Sequence, residues 1–504
     1  MEIDLKPGGL INQRDETILY ENIRRRDMRS QLKFISDSEK ERIHNDSLKI
    51  LWEVGVRFAS SKALEILSRN GAKIDKDEKI AHIPREMVDQ ALKTAPKSFT
   101  LGARNPQFDF TVPSAWTGYT LDGEATFAID YKTGERRNGT SKDLIASLRI
   151  FEEMQLGTIV WPNVMLSDIK IESADIRSTC ISLMNSSKHI QHELHNVKEV
   201  PYLIEVLKAV LGSEQAIRER KIFSVCYCTI PPLTHDEDMC EAYLELAKFH
   251  VPILSYPMPA CGSTGPASLY SNIAVANAEG LSTLVLFQMA CPGTPIIMGN
   301  AAGIMNFQTG GFLEGAPESA LVSSGTGEMA RFYGLPCIQA GCLTDAKAPG
   351  PQAIMEKMLS TVPLVLSGVD IINGIGELET SQLLIQEQII VDHEIACMCK
   401  RLKDGIEISD SKNYLEDVAR VKPGGHFLME ESTLAACHSG EFYMPQLVDR
   451  NTFDQWQELG RPDLYSRAKE KVNEILQSPL KNPLSDKVVG KLQEIMEKAD
   501  RELK

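Results

Sequence analysis

Short, continuous apolar runs recur through the middle of the chain at a spacing of roughly 30 to 45 residues. No other feature restricts the fold as strongly. The runs are GTIVWPNVML (157–166), KHIQHEL (188–194), KIFSVCYCTI (221–230), VPILSYPMP (251–259), TPIIMGN (294–300), LPCIQAGC (335–342) and VDIINGIG (369–376). They are β-branched-rich and unbroken rather than alternating, the pattern of strands buried on both faces of a parallel sheet. The spacing leaves room for a loop, a helix and a return between successive parallel strands.

The intervening segments carry helix punctuation. Thr140 and Asp143 form a capping box before LIASLRIFEEM, and Thr234 with Glu237 does the same before CEAYLELAKF. ESALVSSGTGEMARFYG ends at Gly334, a C-terminal cap. ETSQLLIQEQIIVDHEIACMCKRLKDG closes with Lys400, Arg401 and Lys403 before Gly405, which suits the helix dipole. These runs supply seven strand–helix units, and the stretch GYTLDGEATFAID (118–130) supplies an eighth strand. Eight units predict an α/β fold, a (β/α)8 TIM barrel, over residues 116–404. A doubly wound sheet is the alternative, but no GxGxxG follows the first clear strand. Residues 1–115 read as a helical N-terminal extension, on the three- and four-residue apolar steps of HNDSLKILWEVGV and PREMVDQALKTAP. Residues 405–504 read as a helical C-terminal extension packed on the barrel.

Composition excludes several classes. A net charge of -15 argues against a broad nucleic-acid surface, which needs a basic face. MEIDLKPGGL has no apolar core for a signal peptide. The most apolar region, LSTLVLFQMACPGTPIIMGNAAGIM, is broken by Pro292, Gly293 and Pro295, short of the roughly 20 unbroken residues of a membrane span. Eleven cysteines with no CxxC suggest reduced thiols in a cytoplasmic protein.

In a barrel, chemistry sits at the C-terminal ends of the strands. Those ends collect Trp161, Asn163, His189, His192, His195, Tyr227, Cys228 and Tyr256, then Asn300, Gln339, Cys342, Asp345, Lys347, Asn373 and Glu377. HIQHELH spaces histidines like a metal or carboxylate site, yet strand alternation sends His189 and His192 to opposite faces. No matching Cys, Asp or Glu spacing accompanies them, so no tightly bound metal is expected. Aromatic residues are scarce at 6%, but Trp161, Tyr227, Tyr256, Phe307 and Phe312 fall at strand ends and loops. They form either a cage for a cation or ordinary packing. Asp345 and Lys347 read as a surface ion pair, or Lys347 as a carboxylate anchor or Schiff-base lysine. The Gly-rich stretch QTGGFLEGAPE (308–318) reads as a lid, a partner surface or a connector.

HNDSLKILWEVGV (44–56), ARNPQFDF (103–110), GCLTDAKAPGPQA (341–353), GHFLMEESTL (425–434) and PQLVDR (445–450) resemble the trimethylamine methyltransferase superfamily across nearly the whole chain. The resemblance implies a (β/α)8 barrel that moves a methyl group from an amine to the cobalt of a separate corrinoid protein. The trimethylamine enzymes carry pyrrolysine in the barrel; this sequence has only standard residues. That departure points to the family's non-pyrrolysine branch, similar to methyltransferases for glycine betaine, proline betaine, carnitine and γ-butyrobetaine.

On that resemblance the expected substrate is a small quaternary amine, with glycine betaine the default. The expected cofactor is a corrinoid (cobalamin) supplied by the partner protein, and the chain is expected to form a homo-oligomer with no nucleic-acid or membrane partner. Trp161, Tyr227, Tyr256, Phe307 and Phe312 would cage the cation, and Asp345 is also expected among the substrate-binding residues. Lys347, His192 and Gln339 would hold a carboxylate. The competing readings are a lysine-dependent barrel lyase acting through Lys347 and a non-catalytic betaine-binding protein.

Overall fold

The computed structural model describes residues 32–130 and 133–503. All eight expected strands form, and they close. They are β1 (Gly118–Leu121), β2 (Gly157–Val160), β3 (His189–His192), β4 (Phe223–Tyr227), β5 (Ile253–Ser255), β6 (Ile296–Asn300), β7 (Cys337–Ala340) and β8 (Ile371–Ile375). Each pairs in parallel with its neighbour in chain order, and β8 returns to β1 through Ile371 opposite Gly118. The helices between them are α1 (Ser141–Glu152), α2 (Ala174–Asn185), α3 (Val200–Leu211), α4 (Glu237–Ala247), α5 (Leu269–Ala290), α6 (Pro317–Phe332), α7 (Pro351–Ser367) and α8 (Gln386–Asp404).

Local signals account for the helix ends. Thr140 and Asp143 do form the capping box of α1. The cap of α4 is instead Asp236, whose side chain accepts from Met239 N. Thr234 is used elsewhere: with His235 it pairs in parallel with Val56–Phe58, tying the N-terminal extension to the barrel. Helix α5 is long and apolar enough to cross a membrane, but its most apolar window is 83% buried inside the fold. It reads as apolar all round because barrel, neighbouring helices and N-terminal extension cover it on every side.

The pleat splits the strands into two sets. Ile159, Trp161, Cys226, Leu254, Tyr256, Ile297, Ile338, Ala340 and Ile371 form one buried cluster, the barrel interior. The residues between them, including Val160, Val225, Tyr227, Ile253, Ile296 and Ile372, join the larger core under the helices.

The N-terminal extension is not purely helical, as its sequence suggests. Helices Asp37–Lys49, Ser61–Arg69 and Arg85–Thr94 alternate with strands of three residues, among them Lys73–Asp75, Ile80–His82, Phe99–Leu101 and Phe110–Val112. Strands that short carry too few alternations to register as a period of two. In the C-terminal extension, helix Leu464–Gln477 packs on α8 and α1, and helix Asp486–Glu502 packs on α2 and α3. Tyr202 on α3 donates its hydroxyl to Glu502 at 2.7 Å, and Arg177 on α2 pairs with Asp500.

Candidate functional site

The C-terminal mouth of the barrel is built from inward-facing positions just beyond the strands. After β2, the Trp161 indole turns inward and donates Nε1–H to Glu193 Oε2 at 2.9 Å. Tyr256, after β5, meets Trp161 edge-on, with ring centroids 5.9 Å apart. Both rings are buried. Gly123, after β1, permits this placement, because a Cβ there would stand 3.2 Å from two indole carbons.

A polar chain runs from the rings across the mouth. The Tyr256 hydroxyl donates to Asn373 Oδ1 on β8, and Asn373 Nδ2 donates to Asp122 Oδ1 at 3.0 Å. Ser381 Oγ lies 2.6 Å from Asp122 Oδ2 and 2.8 Å from Glu314 Oε2, bridging the two carboxyls. Burial pushes Asp122 up from the usual carboxylate range and Glu314 up to about 8. Glu377, on the loop after β8, is also buried; both of its oxygens lack a hydrogen-bond partner, and burial holds it well above the usual range. The cation beneath these acids, Lys357 on α7, is spent: Nζ pairs with Asp392 at 2.9 Å and donates to the carbonyls of Cys342 (2.6 Å) and Gly374 (3.0 Å). Its three donors are thereby used.

A second cluster sits on the outer rim. His192 lies 3.7 Å from Glu124, 3.9 Å from Asp175 and 3.3 Å from Glu193. Burial opposes its charge, but these carboxylates raise it to about 9. Burial lifts Glu124 to about 7. His195 pairs with Asp175 at 2.9 Å. Glu124, Asp175 and His195 line a cavity of 670 Å³ whose apolar wall includes Met165, Leu166 and Ile169.

The expected site residues divide sharply. Trp161 and Tyr256 meet in the mouth. Tyr227 points the other way: its hydroxyl bonds His235 Nδ1 at 2.8 Å and its ring packs on Tyr243 and Phe287 of α4 and α5. Gln339 also points outward, its Oε1 accepting from Thr326 of α6 at 2.8 Å. Neither belongs to a cage or anchor in the mouth, because β-strand alternation gives the inward positions to Cys226, Cys228 and Ala340. His192 belongs to the rim cluster rather than to a carboxylate anchor. Its neighbour His189 is held apart by Gly102 O and Ser224 Oγ, both at 2.8 Å.

Lys347 is exposed and donates to the Asp345 carbonyl at 2.5 Å, so it is neither an anchor nor an ion-pair partner of the Asp345 carboxylate. Asp345 ties loops together: its Oδ1 accepts from Glu314 N at 2.9 Å and Thr380 Oγ1 at 3.0 Å. Phe307 and Phe312 lie on the hairpin Ile304–Met305/Phe312–Leu313 after β6. Phe307 is 73% exposed at its tip, away from the buried rings, and Phe312 packs over Gly303.

Asp122, Glu193, Cys226 and Glu314 were not among the expected site residues. Glu193 was in plain view inside HIQHELH, overshadowed by its histidines. Glu314 sits in the Gly-rich loop and reaches the mouth only because Asp345 holds that loop's backbone.

The family model described as Trimethylamine methyltransferase (MTTB) matches residues 11–504. Trimethylamine methyltransferase MttB of Desulfitobacterium hafniense (strain DSM 10664 / DCB-2) is 30% identical over 467 residues, covering 93% of this chain and 94% of that protein. Its namesake from Methanosarcina barkeri (strain Fusaro / DSM 804) is 29% identical, covering 94% and 96%. Glycine betaine methyltransferase of Desulfitobacterium hafniense (strain Y51) is 29% identical, covering 93% and 97%. Among solved structures, a hydroxylamine complex of MtmB is similar at 12% identity and a TM-score of 0.46, covering 91% of this chain and 97% of that one.

Proposed function

The chain belongs to the trimethylamine methyltransferase family, and from that premise we propose that it moves a methyl group from a quaternary amine to the Co(I) of a cognate corrinoid protein, releasing a tertiary amine. Glycine betaine is the default substrate; proline betaine, carnitine and γ-butyrobetaine are the alternatives. The observation that carries the reading is the charge balance of the mouth. Two aromatic rings stand beside Asp122, Glu193, Glu314 and Glu377, while the nearby lysine is neutralised by Asp392. A permanent cation with no proton to donate fits rings and carboxyls together.

The chain's own part in the reaction is positioning. The faces of Trp161 and Tyr256 would hold the trimethylammonium group, and Asn373 fixes the Tyr256 ring through its hydroxyl. A corrinoid held by the partner protein would supply the nucleophilic Co(I) that takes the methyl group. The N–CH3 bond breaks with its electron pair staying on nitrogen, so the leaving amine is neutral and no general acid is required. Alignment alone can contribute roughly 7 kcal/mol or more. The carboxyls must not hold the cation too firmly, since its charge is lost in the transition state. A substrate carboxylate would meet Glu377 as a neutral acid able to donate a hydrogen bond, a role in place of the Lys347 anchor.

The test mixes the protein with Co(I)-cobalamin, and then with candidate cognate corrinoid proteins, and offers each of the four betaines and trimethylamine. Loss of the Co(I) spectrum with a quaternary amine and not with trimethylamine is expected. Silence with every quaternary amine, using corrinoid proteins shown to accept a chemical methyl donor, overturns the reading in favour of a binding protein. The lyase alternative through Lys347 has no support from a lysine that faces solvent.

A further inference from the structure

We propose that Glu193, Cys226 and Cys228 form a binding site for zinc or a similarly thiophilic divalent cation, with a fourth coordination position open to the barrel mouth. This reverses the expectation from sequence that no metal is tightly held, and it stands apart from the methyl-transfer reading.

The three residues come from adjacent strands. Cys226 on β4 and Cys228 just beyond it are two apart, so both side chains fall on the inward face. Glu193 follows β3, the parallel neighbour of β4. Both Sγ atoms and a Glu193 carboxylate oxygen all lie within 4.8 Å of one another. The Sγ–Sγ separation is 3.8 Å, and two thiolates each about 2.3 Å from a tetrahedral zinc stand roughly 3.8 Å apart. The sulfurs are thus already spaced as ligands of one ion.

The surroundings suit a ligand set. Trp161 donates Nε1–H to Glu193 Oε2 at 2.9 Å, which orients the carboxylate, and His192 Nδ1 stands 3.3 Å from the same oxygen. Cys226 is buried while Cys228 and Glu193 are half-buried, so the site has a wall and an opening. Three protein ligands with one open position is the arrangement of a catalytic zinc rather than a structural one. Water, or an oxygen of a bound substrate, would take that position.

The charge balance also holds. A thiol gives up its proton when it becomes a thiolate ligand, so two protons leave as Zn2+ enters and no net charge is added to the buried wall. The mouth therefore stays attractive to a cation in either form. The rim cluster of Glu124, Asp175 and His192 is as compact, but it offers no thiolate, and Asp175 is already engaged by His195.

The test uses the full chain, reduced and stripped with chelator, then given equimolar Zn2+ or Co2+ and desalted. Expected are one zinc per chain by elemental analysis and, with Co2+, an intense near-ultraviolet sulfur-to-cobalt charge-transfer band with tetrahedral visible bands. The double variant Cys226→Ser/Cys228→Ser should lose both signals while keeping the wild-type circular dichroism. Trp161→Phe, which keeps every ligand and removes the donor to Glu193, should weaken zinc on the order of tenfold. Wild-type protein that retains no more zinc than the double variant, or a cobalt spectrum without the thiolate band, overturns the proposal. Neither outcome depends on whether the protein transfers a methyl group.

Discussion

On the proposed function the carboxyls of the mouth would make cation binding pH-dependent, and the size of the effect follows from Glu314. This group faces Asp122 from the β1 end, Ser381 from the loop after β8, Asp345 from the loop after β7 and Lys357 from α7. Burial is the largest cause of its raised value, ahead of the neighbouring Asp122 charge. With Glu314 held at about 8, its ionised fraction climbs from about one per cent at pH 6 to about half at pH 8. A cation that needs that carboxylate ionised should gain about 50-fold in affinity over the same interval, ~2.3 kcal/mol. Without ligand the sign reverses. Between its ordinary 4.5 and about 8 the native chain holds a proton that the unfolded chain has lost, so this group's contribution to stability falls as pH rises. A bound cation offsets that loss.

The assay is calorimetric titration of tetramethylammonium and of glycine betaine at pH 6, 7 and 8, in two buffers of different ionisation enthalpy so that released protons are counted. Tetramethylammonium should tighten with pH and expel a proton. Glu314→Gln keeps an acceptor for Ser381 but cannot ionise. It should match the wild type at pH 6 and show a flat profile above. A wild-type affinity that does not change between pH 6 and 8, or a Glu314→Gln variant that keeps the rise, refutes the reasoning.

Three further outcomes follow from the geometry. Lys357→Met strands Asp392 in a fully buried site and leaves the Cys342 and Gly374 carbonyls without their donor, costing about 3–5 kcal/mol. Urea unfolding followed by fluorescence should show this, with much of the loss recovered in Lys357→Met/Asp392→Leu. Gly123→Ala places a Cβ 3.2 Å from the indole and should shift Trp161, weakening tetramethylammonium by several-fold in the same titration with little change in melting temperature. Lys347→Ala, at an exposed position, should leave betaine affinity within twofold of wild type, whereas a substrate anchor would lose a charge-assisted bond worth tenfold or more.

Four apolar side chains of the C-terminal extension, Leu428, Met429, Leu434 and Met444, are between 63% and 80% exposed and bear on assembly. Light scattering should report a homo-oligomer, and Leu428→Glu/Met429→Glu should shift it to a smaller species.

The sequence by itself determined the architecture. Seven apolar runs at recurring spacing, with an eighth strand at 118–130, admit a closed parallel barrel, and the capping box at Thr140 and the stop at Gly405 mark helix ends through contacts made within a few residues. It also drew attention to the strand ends, where Trp161 and Tyr256, two of the nine residues it put forward, meet. What it could not decide was parity. In KIFSVCYCTI or LPCIQAGC both faces are buried, so both read apolar, and nothing local says whether Tyr227 or Cys226, Gln339 or Ala340, points to the axis. Closure of the barrel settles that for every strand at once. It turned Tyr227 and Gln339 outward to the helices and set Cys226, Cys228 and Glu193 together. Glu314 and Ser381, 67 residues apart, share a hydrogen bond in the mouth only because the loops after β6 and β8 converge there. Contacts of that range depend on where the folded chain returns, and only the tertiary structure carries that information.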